Sequence, residues 1–135
     1  MEIKEIMTVA VHSVTPDSTL RELRNIFAEV KYHHLLVVDG DNLVGVISDR
    51  DVLRMSSPTL DRVSLNDQDE AMLNCPARDF MSTNMIKARP DTFIDAAAIM
   101  LLEKNISCLP VVNNDQSVAG IVTWKDMLKY YVYVK

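Results

Sequence analysis

Glycine is scarce. Three glycines in 135 residues exclude a Gly-rich loop of the kind that grips phosphates in P-loop and dinucleotide-binding folds. Cysteine is scarcer still. Cys75 and Cys108 have no paired spacing, which excludes a disulfide framework and a zinc cluster and leaves reduced thiols in a cytoplasmic protein as the expectation. No run of eighteen apolar residues occurs, so no membrane span is expected. The opening MEIKEIMTVAVHSV lacks the apolar core of a signal peptide. Basic residues are outnumbered, 14 against 19 acidic, for a net charge of −5. A nucleic acid or an anionic membrane needs a dominant basic face and is excluded as the main partner. A small phosphate ligand needs only a local cluster of donors and stays open. No nucleophile–base pair stands out, so the expectation is a protein that is not an enzyme and holds no metal.

What is present is a repeat. Residues 3–55 lie over residues 77–130. Met7 meets Met81, Pro16-Asp17 meets Pro90-Asp91, and Leu35, Val37 and Val38 meet Leu109, Val111 and Val112 at an offset of 74. One inserted turn residue makes the offset 75, and Gly45, Asp51 and Leu53 then meet Gly120, Asp126 and Leu128. Two copies fit an intramolecular pair better than a solenoid, which needs three or more. With 48% apolar and 24% charged residues, the chain is long enough for a real core.

Each copy reads alike. A short helical piece opens it (residues 3–7, 77–81). A short strand follows (11–14, 85–88), then a proline break and an amphipathic helix. Thr19 and Glu22 have capping-box spacing, and Ile94, Ala97, Ala98, Leu101 and Leu102 recur at helical period. Two apolar runs around a polar turn come next (35–38 and 43–47; 109–112 and 118–122), as in a hairpin. A last helix starts at Ser48 or Thr123. The predicted fold class is α/β (α+β), with two β-α-β-β-α motifs packed through their sheets about a pseudo-twofold axis. The expected divisions are residues 1–57, a connector at 58–76, and residues 77–135. In the connector, residues 66–73 read as a short helix. Its acidic run lacks the glycine of a calcium loop and reads as a solvated helix start.

The copies end alike, in GVISDRDVL and GIVTWKDML. A hydroxyl residue with an acid three positions later, Ser48/Asp51 and Thr123/Asp126, is close to a capping box and needs no ligand. The same residues suit one. A helix start offers free N–H groups to an anion, a hydroxyl can donate to phosphate, and a carboxylate can accept from both hydroxyls of a ribose. Gly45 and Gly120 allow close approach. Arg50 and Arg54 lie by one site, Lys125 and Lys129 by the other. The expected ligand carries a diol beside a phosphate.

In this order, twice over, the segments KEIM and RDFM, VTPDSTL and ARPDTFI, LLVVD and LPVVN, and GVISDRDVL and GIVTWKDML resemble a pair of cystathionine-β-synthase-type (CBS) domains. They cover nearly the whole chain outside the connector, like a free-standing pair. The resemblance implies regulatory binding of an adenosine-containing ligand (AMP, ADP, ATP, NAD or S-adenosylmethionine), with no obligatory cofactor, in two clefts between the copies. It assigns Ser48 and Asp51 to one cleft, with Arg50 beside them and Met85, Lys87, Ile106, Ser107 and Cys108 at the base end. It assigns Thr123 and Asp126 to the other, with Lys125 beside them and Val11, Ser13, Tyr32, His33 and His34 opposite. It also implies a homodimer and an effector protein.

The departures from that pattern make the two clefts inequivalent. Leu36 stands where the family usually has the proline kept at Pro110. His33 and His34 replace small residues, and Lys87 replaces a small hydroxyl residue. Trp124, Tyr130, Tyr131 and Tyr133 suit either a core or a dimer interface, and the eight methionines suit core gaps. The rivals to a sensor are a ligand-free dimerisation module and a nucleotide hydrolase.

Overall fold

A computed structural model describes residues 1–56, 60 and 64–134. The fold is mixed α and β, built from two small sheets and short helices. The elements are β1 (Ser13–Val14), α1 (Leu20–Glu29), β2 (His34–Asp39), β3 (Asn42–Ser48), α2 (Asp49–Met55), α3 (Asp67–Leu73), α4 (Ile94–Glu103), β4 (Cys108–Val112), β5 (Val118–Thr123) and α5 (Trp124–Lys129). Single 3-10 turns at Ile3–Glu5 and Ala77–Asp79 replace the longer opening helices expected from the sequence, and a π-helical turn, Tyr130–Val134, continues α5. Among the described residues no helix is long and apolar enough to cross a membrane.

Local chemistry explains the boundaries. Thr19 caps α1 by accepting from the Glu22 N–H, and Asn66 and Asp69 close a reciprocal capping box at the start of α3. Both satisfy amides that a helix start leaves free. The antiparallel hairpin of β4 and β5 pairs Cys108 with Thr123 and Val111 with Gly120. In the other copy β1 runs parallel to β2, Val14 opposite Val37. The strand expected at residues 85–88 shrinks to one parallel bridge, Ala88 with Val111. Ala88 donates to the Pro110 carbonyl and accepts from Val112. Pro110 has no N–H with which to extend the ladder, whereas Leu36, its counterpart, has one.

The chain forms two compact units, and their composition departs from chain order. One consists of Ser13–Asp39 and Val44–Asn84, the other of Met1–His12, Gly40–Leu43 and Met85–Lys135. Each copy's opening segment therefore packs with the body of the other copy. In the first unit, Leu20, Leu23, Leu35, Val37, Ile47 and Val52 form the core with Ala77 from the exchanged segment. In the second, Ile94, Ala97, Leu101, Leu109, Val111 and Val122 form it with Ile3. A fully buried Leu or Ile stabilises by about 1.5–3 kcal/mol, so Ile3, fully buried, anchors its segment firmly.

The exchange has a repeated geometry. Thr8 exchanges two backbone hydrogen bonds with Ile121, at 2.9 and 3.0 Å, and Ser82 exchanges two with Val46, at 3.0 Å each. Beside each bridge sits a glycine. A β-carbon on Gly45 would lie 2.5 Å from the Met81 sulfur, and one on Gly120 would lie 2.7 Å from the Thr8 carbonyl oxygen. These glycines are explained by the close approach of the exchanged segment, without any ligand.

Candidate ligand-binding site

The two Ser/Thr-x-x-Asp motifs fold alike. β3 ends at Ser48 in extended backbone, its Oγ accepts from the Asp51 N–H at 3.1 Å, and Asp51 Oδ2 accepts from the Ser48 N–H at 2.9 Å. In the second copy Thr123 Oγ accepts from the Asp126 N–H at 3.4 Å, and Asp126 Oδ2 accepts from the Thr123 N–H at 3.0 Å. The capping-box reading of the sequence is thus realised at both places. It occupies one carboxylate oxygen of each acid and leaves the other aimed elsewhere.

The second oxygen distinguishes the copies. Asp51 Oδ1 takes the Arg54 guanidinium at 2.5 Å. Arg54 is largely exposed, and an exposed ion pair of this kind contributes only about 0–1 kcal/mol. Asp126 Oδ1 instead accepts from the Thr8 hydroxyl at 3.3 Å. Thr8 escaped the sequence reading. Its only signal was a hydroxyl residue after methionine in both openings, Met7-Thr8 and Met81-Ser82.

A second repeated contact fixes each helix start. The first amide of α2, from Asp49, donates to the His33 carbonyl at 2.9 Å, and that of α5, from Trp124, donates to the Ser107 carbonyl at 3.3 Å. His33 and Ser107 are equivalent positions in the repeat. In the first copy His33 Nδ1 also meets Asp49 Oδ2 at 2.7 Å. In the second the Trp124 indole N–H donates to the Ile106 carbonyl at 3.1 Å.

His33 and His34 therefore lie with Ser48, Arg50 and Asp51 in one unit, which also holds Ser13 and Tyr32. Ile106, Ser107 and Cys108 lie with Thr123, Lys125 and Asp126 in the other, which also holds Val11, Met85 and Lys87. Within a unit, each Ser/Thr-x-x-Asp is flanked by the residues that enter the adjacent strand of its own copy. His34 is half-buried, and burial lowers its pKa from the ordinary value, partly opposed by nearby Asp49. Burial pushes the Cys108 thiol up to about 11, so it stays protonated at neutral pH. Among the described residues no cluster of three or more metal-ligating side chains occurs.

The fold and the doubled motif have counterparts among known proteins. The family model of the CBS domain matches residues 3–57 and again residues 77–133. The chain belongs to the CBS-domain family. It is 28% identical over 123 residues to protein MJ1225 of Methanocaldococcus jannaschii, covering 87% of this chain and 44% of that relative. The chain spans 23–44% of the length of five such curated relatives. Among solved structures, CBSX2 in complex with AMP is 27% identical, with a TM-score of 0.81 over 97% of this chain and 96% of that one. The CBS domain pair of MJ0100, in complex with 5-methylthioadenosine and S-adenosyl-L-methionine, is 26% identical, with a TM-score of 0.78 over 97% of this chain and 95% of that one.

Proposed function

We propose that this CBS pair is a regulatory sensor, not a catalyst, that binds an adenine nucleotide and passes its occupancy to a partner protein or to its own dimer. The observation that carries this is the paired Ser48/Asp51 and Thr123/Asp126 geometry, with one carboxylate oxygen committed to the helix start and the other free of main-chain duty. That oxygen suits the two ribose hydroxyls. The solved CBS pairs that carry AMP or S-adenosyl-L-methionine support an adenosine ligand. In this reading Asp51 and Asp126 hold ribose and Ser48 and Thr123 donate toward phosphate. Arg50 and Lys125 attract the anion. Val11, Ser13, Tyr32, His33, His34, Met85, Lys87, Ile106, Ser107 and Cys108 supply the remaining contacts. The protein acts in the cytoplasm.

The two sites are inequivalent. Ribose at Asp51 displaces Arg54, which then becomes available to a phosphate. Ribose at Asp126 displaces only a neutral hydroxyl. Nucleotides with more phosphates should therefore favour the Asp51 site. Ligand occupancy acts by shifting populations toward the conformers that bind it.

Titration calorimetry with AMP, ADP, ATP, NAD and S-adenosylmethionine tests the proposal. At least one should bind, and Asp126→Ala or Asp51→Ala should weaken it while leaving free adenine unaffected. Absence of binding by all five at millimolar concentration would instead support a ligand-free dimerisation module. Steady conversion of ATP, abolished by Asp51→Ala, would support an enzyme.

A further inference from the structure

The two Ser/Thr-x-x-Asp corners differ in one kind of chemistry. In the first copy the residue after Ser48 is Asp49, and the residues that lead into β2 are His33 and His34. In the second copy the equivalents are Trp124, Ser107 and Cys108. Both corners carry permanent cations at matching places, Arg50 and Arg54 in one, Lys125 and Lys129 in the other. At these positions only the first corner has side chains of a type that changes charge near neutral pH. The Cys108 thiol, pushed up to about 11, stays protonated there.

Asp49 clasps His33 twice. Its N–H donates to the His33 carbonyl at 2.9 Å, and its Oδ2 lies 2.7 Å from His33 Nδ1. An ionised carboxylate only accepts, so the ring proton sits on Nδ1. In the neutral ring Nε2 is then a bare lone pair. It repels a phosphate oxygen until it takes a proton, and then it donates to one. An imidazole released from Asp49 could meet the same oxygen as a neutral Nε2–H donor. The His33 side chain is 72% exposed, so Nε2 is open to a ligand, and Asp49 directly follows Ser48, the hydroxyl assigned to phosphate. The other charges at this corner are few. His34 feels Asp49, His33, Asp51 and Arg50, and Arg54 is paired with Asp51. The strands on either side of β2, β1 and β3, bring no titratable side chain. The helix packed against α2, α1, carries Arg21, Glu22, Arg24 and Glu29, and Lys31 and Tyr32 precede His33.

We propose that Asp49 is a positioning residue that lets His33 meet phosphate only with proton uptake. Nucleotide binding at the Asp51 site then tightens as pH falls, and binding at the Asp126 site does not. This rests on the nucleotide reading of Asp51 and names its regulation. On binding, one proton passes from solvent to Nε2, while Nδ1–H stays on Asp49. The ring becomes an imidazolium held between carboxylate and phosphate, and no bond of the ligand breaks. Linkage sets the size of the effect. One proton per ligand changes affinity by up to about tenfold per pH unit, over the range where free imidazole is mostly neutral. Burial lowers the His34 pKa from 6.5, so His34 stays mostly neutral above that pH and adds little.

ATP titrations between pH 6.5 and 8.0 test this with one site removed at a time. Asp126→Ala leaves the Asp51 site and Asp51→Ala leaves the other, so their comparison cancels the titration of ATP itself. From pH 8.0 to 6.5 the affinity of Asp126→Ala should rise about threefold or more relative to that of Asp51→Ala. His33→Gln or Asp49→Ala, added to Asp126→Ala, should remove that difference, and Asp49→Glu should restore part of it. Equal profiles for the two sites, or a difference that survives both substitutions, would overturn the proposal and leave the sensor standing. So would failure of Asp126→Ala to bind millimolar ATP where the wild type binds it. A wild type that binds no ATP overturns both. Nitrogen-15 spectra of His33 at pH 8 give a readout without ligand. The wild type should hold its ring proton on Nδ1, and Asp49→Ala should move it to Nε2. A wild type with the proton on Nε2 refutes the clasp, and that measurement stands even where a variant fails to fold.

Discussion

Replacing Gly120 by alanine should cost far more than replacing Gly45, although the two are equivalent in the repeat. At Gly45 the new methyl would meet only the Met81 side chain, its sulfur at 2.5 Å and its Cγ at 2.9 Å. That chain is flexible and partly exposed and can swing away. At Gly120 the methyl would meet the Thr8 backbone oxygen at 2.7 Å as well as the Met7 sulfur at 2.9 Å. Thr8 is pinned by two hydrogen bonds to Ile121, so retreat weakens bonds that contribute about 0.5–1.5 kcal/mol each. Overpacking costs about 1–3 kcal/mol, and the stiffer unfolded chain returns about 0.4–1 kcal/mol. The net expectation is a loss of about 2–4 kcal/mol for Gly120→Ala and about 0–1.5 kcal/mol for Gly45→Ala. Urea denaturation with an unchanged m-value measures both. A double-mutant cycle sharpens the test. Met81→Ala should rescue Gly45→Ala, with a coupling of about 1 kcal/mol, whereas Met7→Ala should leave most of the Gly120→Ala penalty because the carbonyl remains. Equal losses, or the larger loss at Gly45, would refute the reasoning.

Two further outcomes follow from buried titratable groups. Burial lowers the His34 pKa from 6.5, so below about pH 6.5 the unfolded chain takes up the proton first and stability falls with pH. Unfolding free energy should therefore decline from pH 7.5 to 5.8, and His34→Gln should flatten that slope; an unchanged slope would assign it to another group. Cys108, with its thiol pushed up to about 11, should resist iodoacetamide in the folded protein at pH 7.5 and react once urea unfolds it, as mass spectrometry of the tryptic peptide would show.

Several features were legible because they depend on neighbours within about four residues. The periodic apolar positions of α1 and α4 mark helices with one buried face. The Ser48/Asp51 and Thr123/Asp126 spacings define reciprocal caps, and both form. Other features were not legible locally. The strand expected at residues 85–88 is cut to a single bridge, Ala88 with Val111, because the neighbouring Pro110 has no N–H with which to extend the ladder. The opening helices shorten to single 3-10 turns held by distant backbone, with the Ile3 N–H donating to Thr92 and the Ala77 N–H to Ser18.

Sequence by itself determined the repeat, the order of helices and strands, the caps and the apolar faces, since each is written in composition and spacing along a short segment. Only the tertiary structure decided that each opening segment belongs with the opposite copy, that Thr8 reaches Asp126 across 118 positions, and that His33 meets Asp49. The reason is that closing a long loop costs little more entropy than closing a short one. Two bodies built on the same repeat offer each opening segment two related seats, and the fit of Ile3, Met7 and Met81 against core and glycine selects between them.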